Sequence, residues 1–96
     1  MILQDITVVK ETFDEHLVSA HTLYPIIVKM AAMLWEKDHL KPLIIMFNPT
    51  HMPVFLRQMV KNTDHTLAMQ CKMLNIKVAP WIEVAPNQLV ILEDFV

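Results

Sequence analysis

Apolar side chains occur along this chain in separate blocks, and the spacing inside each block predicts an element. Residues 6–9 are a β-branched run long enough for a short strand, and Thr12 with Glu15 three places later has the form of a capping box that opens a helix. That helix is expected to run through His16, Leu17 and Ala20, to be disturbed at Pro25, and to resume over residues 26–35, which are apolar almost all round. After a polar stretch at 36–39, Pro42 precedes the unbroken run Leu43-Ile44-Ile45-Met46-Phe47, the pattern of a central strand covered on both faces.

The second half continues the alternation. Asn48 or Thr50 is placed to cap a helix over residues 53–60. Asn62-Thr63-Asp64 is placed to cap another, in which Leu67, Cys71 and Leu74 share one face and which Asn75 stops. From Ile76 the chain reads as extended: Val78, Trp81-Ile82-Glu83-Val84, a turn at Ala85-Pro86-Asn87-Gln88, and Leu89-Val90-Ile91-Leu92, together a hairpin. The fold class is therefore α/β, a single small domain over residues 1–96 with elements in the order β-α-β-α-β-β and a mixed sheet with helices packed on it. As the last strand, Leu89, Val90, Ile91 and Leu92 form an expected exposed edge, and with it the candidate surface for self-association.

Composition narrows the chemistry. A hydrophobic fraction of 54% against 19% charged excludes disorder and predicts a dense core or an adhesive face, so a protein partner or a homo-oligomer is expected. A net charge of −2 gives no electrostatic footprint for nucleic acid. The absence of glycine removes phosphate-cradling loops and dinucleotide fingerprints, which need its close backbone approach. The longest greasy stretch, residues 17–35, is interrupted by His21, Pro25 and Lys29, short of the ~20 apolar residues of a membrane span. The first residues lack the basic start of a secretory leader, and the one cysteine, Cys71, lies among Met69, Met73 and Leu74. A cytoplasmic location and a thiol placed in the core rather than activated are expected.

Other reactive side chains form no set. His16 and His21 are five apart, and His39, His51 and His65 are scattered with no thiolate pair, so no metal site is expected. No cofactor is expected either. Met30, Met33, Met69 and Met73 fall at helical spacings that predict core packing. Ser19 falls in mid-helix without a nucleophile elbow, and strand alternation puts Glu83 on a solvent face.

What stands out is Asn48-Pro49-Thr50-His51. Asn-Pro-Thr is ordinary turn and cap chemistry, but in a strained turn an asparagine ahead of proline can swing its amide onto its own carbonyl and expel the proline nitrogen. The tetrapeptide behind an apolar strand is followed by Thr63-Asp64 opening a helix, Lys72 inside it, and Pro80-Trp81-Ile82-Glu83-Val84-Ala85-Pro86. In that order they resemble the cytoplasmic self-cleaving domain of the export-apparatus switch protein of flagellar and type III secretion systems. The resemblance implies that Asn48 cyclises, that Pro49 becomes a new N-terminus, and that Thr50 and His51 shape the loop and assist proton transfer. It further implies that cleavage re-poses a surface that selects export substrates. The run Ile76-Lys77-Val78-Ala79-Pro80-Trp81-Ile82 is also similar to the proline-led strand of thioredoxin-like domains. No Cys-x-x-Cys is present, so that likeness implies a binding scaffold. Two functions follow: a non-catalytic protein-interaction domain, or single-turnover self-cleavage between Asn48 and Pro49.

Overall fold

In the computed structural model, which describes residues 8–35, 41–58 and 65–94, one mixed four-stranded sheet carries helices packed on it. The elements are β1 (Val8–Thr12), α1 (Ala20–Trp35), β2 (Leu43–Phe47), α2 (Met52–Leu56), α3 (Leu67–Met73), β3 (Ile76–Pro80) and β4 (Gln88–Glu93), which is the β-α-β-α-β-β order expected. Across the sheet the order is β1-β4-β2-β3, with β4 antiparallel to β1 and β2, and β2 parallel to β3.

The expected hairpin does not form, because β2 lies between β3 and β4. Leu89, Val90, Ile91 and Leu92 are therefore not an edge: β4 is paired on both sides, and Leu89 and Ile91 are wholly buried in the core. The physical reason is in the two strands themselves. Three consecutive residues of β4 are buried, whereas β3 carries Lys77 and ends at Pro80, which has no N–H to give a second neighbour. The interior slot goes to the apolar strand and the edge to the strand that tolerates one.

Local signals are shifted rather than absent. Ile6 and Thr7 lie outside the described residues, and the first strand extends to Thr12, so the expected capping box at Thr12 and Glu15 is not made. Asp14 instead accepts from His16 N–H at 2.9 Å to cap a 3-10 turn at Glu15–Leu17. Ser19 and Thr22 then exchange backbone-to-hydroxyl bonds at 2.9 and 3.2 Å, a reciprocal cap that starts α1. Ser19 is thus at the helix start, not in its middle. Pro25 sits inside α1 without interrupting it. Asn62-Thr63-Asp64 lies outside the described residues. Thr66 Oγ1 accepts from Met69 N–H at 3.0 Å to cap α3, and Asn75, at φ 63°, ends it.

Register sorts the strand residues into rows that share a face. Val9, Ile91, Ile45 and Val78 form one row, and Leu89, Phe47 and Pro80 fall in another on the same side. Here the core sits, where Leu23, Ile27, Met30 and Leu34 of α1, Phe55 of α2, and Leu67 and Cys71 of α3 close over the sheet. The opposite side carries Lys10, Val90, Met46 and Ala79 in one row and Val8, Leu92, Ile44 and Lys77 in the next. None of these residues belongs to the core cluster, although Val90 is buried. β2 is therefore not covered on both faces: Leu43, Ile45 and Phe47 are buried while Ile44 and Met46 are half-buried, the alternation of a two-layer fold. Among the described residues no helix is long and apolar enough to cross a membrane.

Candidate functional site

β2 ends at Phe47, and Asn48 follows in an extended conformation, φ −66° and ψ 137°. Pro49, with its φ preset near the helical value, occupies the first position of a 3-10 turn, Pro49–His51, that runs into α2. Asn48 Oδ1 accepts the Thr50 N–H at 3.0 Å, and the Asn48 main-chain oxygen accepts the His51 N–H at 3.0 Å. Asn48 is thus the cap of this turn, one of the two roles its sequence context allows. Phe47 and Phe55 stack at 4.0 Å between ring centroids, both wholly buried, and anchor the turn from either end.

The tetrapeptide is also tied to the segment after β3. Pairing of Phe47 with Pro80 in the parallel ladder, and the 2.8 Å bond from Trp81 N–H to the Phe47 oxygen, bring residues 81–87 alongside. Asn48 Nδ2 donates to the Val84 oxygen at 2.8 Å. His51 Nε2 donates to the Pro86 oxygen. A carbonyl can only accept, so Nε2 carries a proton and in the neutral ring Nδ1 is the acceptor. His51 is buried, with the Phe13 ring tilted against it at 5.6 Å, and the Phe13 N–H bonds the Asn87 oxygen at 2.8 Å.

Asn48 and His51 therefore both hold the segment from Pro80 to Pro86, while Pro49 and Thr50 are exposed at the tip of the turn. The sequence gives no sign of the two main-chain acceptors, Val84 and Pro86. Only the parallel pairing of β2 and β3 puts them within reach. The same segment displays Trp81 and Ile82, the latter 84% exposed, and Glu83 is exposed in this turn rather than on a strand face.

No family model, curated protein or solved structure matches the chain.

The remaining candidates disperse. Val90 and Leu92 lie on the open side of the sheet, and Leu89 and Ile91 on the core side. His16, His21 and His65 are exposed, His39 lies outside the described residues, and among those described no group of three His, Cys, Asp or Glu is placed to hold a metal ion. Met30 is buried as expected, but Met33, Met69 and Met73 are exposed, contrary to the core packing their spacing predicts. Their helices present too narrow a face to the sheet to bury both turns of the stripe. Cys71 is wholly buried, and burial pushes its thiol up to about 12.

Proposed function

We propose that this chain is a non-catalytic protein-interaction domain that binds through the open side of its sheet. The observation that supports this reading is the double row of Met46 and Ala79 beside Val8, Leu92 and Ile44, five partly exposed apolar residues around the buried Val90, framed among the described residues by Lys10 and Lys77 at the sheet's two edges. An antiparallel or mixed sheet with a solvated face ordinarily carries polar residues there. Four strands at about 4.8 Å spacing make a face only about 15 Å wide, room for one amphipathic element rather than a full dimer interface of about 800 Å² per partner. The reading predicts a protein partner that lays one apolar face on the sheet, with a second copy of the chain as the other possible occupant. Met46→Lys should abolish association at a small cost to the unfolding midpoint, because Met46 is half-buried and outside the core cluster. Sedimentation of the wild-type and variant proteins, alone and with partners captured by the wild type, checks it. Equal capture by both would sink the proposal.

A second reading, self-cleavage between Asn48 and Pro49 as in the export-switch family, is supported by one feature of the turn. The Asn48 carbonyl already accepts the His51 N–H, a donor placed to stabilise the oxyanion that addition would create. In that step Asn48 Nδ2 adds to its own carbonyl carbon, the bond to the Pro49 nitrogen breaks, and a proton lost from Nδ2 is gained by the Pro49 amine. A C-terminal succinimide is left for water to open. Denaturing mass spectrometry of wild type beside Asn48→Ala distinguishes the readings: fragments 1–48 and 49–96 in the wild type alone establish cleavage, and a single mass in both excludes it.

A further inference from the structure

Among the described residues β3 is an edge strand, and its outer side is a groove. Two adjoining cavities of about 460 and 140 Å³ share Lys72, Ile76 and Lys77 and together run along the strand between its rim and α3. Ala68 and Met69 form the helix wall, and Val78 continues the strand wall. The ladder to β2 opens with Leu43 N–H on the Asn75 oxygen and closes with Trp81 N–H on the Phe47 oxygen. Alternate residues of a parallel strand bond the same neighbour, so 75, 77, 79 and 81 face β2, and the main-chain groups of Ile76 and Val78 point outward along the groove. Pro80, next in that set, has no N–H, which limits an added strand to the Ile76–Val78 stretch.

We infer that this groove takes an extended partner peptide of alternating apolar and acidic residues, added as a short fifth strand at the β3 edge. Side chains of such a strand alternate between the two sides of the sheet. On the helix side they meet Ala68, Met69 and Val78, which are apolar, and on the other side they pass Lys77. Charge selects the acidic partner: among the described residues both charged groups lining the groove are lysines and no carboxylate lines it, in a chain whose net charge is −2. Lys77 is already paired with Asp94 at 3.0 Å, and the exposed Lys72, on the helix side and with no ion pair among the described residues, adds its field to favour an acidic partner. This surface is distinct from the open side of the sheet, and the inference stands whether or not that side binds.

The test uses two short fluorescein-labelled peptides, one of alternating valine and glutamate and one of alternating valine and lysine, titrated with the full chain at low salt and read by anisotropy. The acidic peptide should bind saturably and the basic one should not. Lys72→Glu and Met69→Glu, both at exposed positions of α3 and checked for folding by circular dichroism, should each weaken binding by about tenfold, and added salt should weaken it further. Absence of saturable binding, or equal binding of both peptides, overturns the inference. So does binding that survives Lys72→Glu but is lost in Met46→Lys, which puts the peptide on the open face instead.

Discussion

Asn48 engages three of its polar groups within one turn: Oδ1 accepts from Thr50, the main-chain oxygen accepts from His51, and Nδ2 donates to Val84. Its substitution is therefore a stability experiment as well as a cleavage control. Asn48→Ala removes the cap, worth about 1 kcal/mol, and withdraws the donor from the Val84 oxygen at about 1 kcal/mol more. Asn48→Asp keeps an acceptor for the Thr50 N–H but turns a carboxylate oxygen toward the Val84 oxygen in place of the donor, so urea unfolding should place it below wild type. If the aspartate variant matches wild type, the Val84 bond contributes nothing. Cys71 gives a second prediction at this scale. Its thiol is raised to about 12 by burial, against about 9 unfolded, so between these values the unfolded chain has lost a proton that the folded one keeps. Stability from this group is complete below pH 9 and falls by about 1.4 kcal/mol per pH unit above it. Iodoacetamide at pH 8 should leave native Cys71 unmodified and label it promptly in urea. Rapid labelling of the native protein would contradict the burial.

Elements show what the sequence made legible and what it did not. Most elements expected in the described residues have a counterpart, because period and β-branching are local properties: the run Leu43–Phe47 matches its strand residue for residue, whereas the extension expected over residues 81–84 is a turn and the helix expected from Pro53 ends at Leu56. Pairing is not local. Leu89 to Leu92 reads as a strand from its own residues, yet whether it is edge or interior depends on what β1 and β2 leave unpaired, and a two-element reading defaults to the hairpin. Caps were displaced for a related reason. Thr12 and Glu15 satisfy the capping-box spacing, but Thr12 pairs with Gln88 in the sheet, and the helix start passes to Ser19 and Thr22. At the site, Asn48 and His51 were legible as residue types, whereas their partners Val84 and Pro86 contribute only main-chain oxygens, which no composition distinguishes. The coupling of turn to strand also makes a prediction. The Phe47–Phe55 stack is the main apolar anchor of the five-residue α2, a helix too short to hold by itself. Phe55→Ala should cost about 3–5 kcal/mol in urea unfolding and should loosen the turn, seen as faster hydrogen exchange at the His51 N–H. A cost under about 1 kcal/mol would mean that α2 is held by something else.

On the scale of the whole molecule, the site sits at a seam of the sheet. A cut between Asn48 and Pro49 would leave β1, α1 and β2 in one fragment and α2, α3, β3 and β4 in the other. The sheet order interleaves them: β4 pairs with β1 and β2, and β2 pairs with β3, so each interface between neighbouring strands joins the two fragments. The core is shared in the same way, with Leu23, Ile27 and Met30 from the first fragment against Phe55, Leu67 and Ile91 from the second. Cleavage would then change neither the native size nor the far-ultraviolet spectrum, and a native measurement alone would miss it. Two observations would reveal it. Denaturing mass spectrometry would give two chains of 48 residues each where the Asn48→Ala protein gives one. Unfolding would become bimolecular, so the midpoint in urea would rise with protein concentration for the cut form and stay fixed for Asn48→Ala. A cut form that separates into fragments without denaturant would show that the interleaved sheet does not hold them. A concentration-independent midpoint with a single denatured mass would leave the open face and the β3 groove as the sites through which this domain acts.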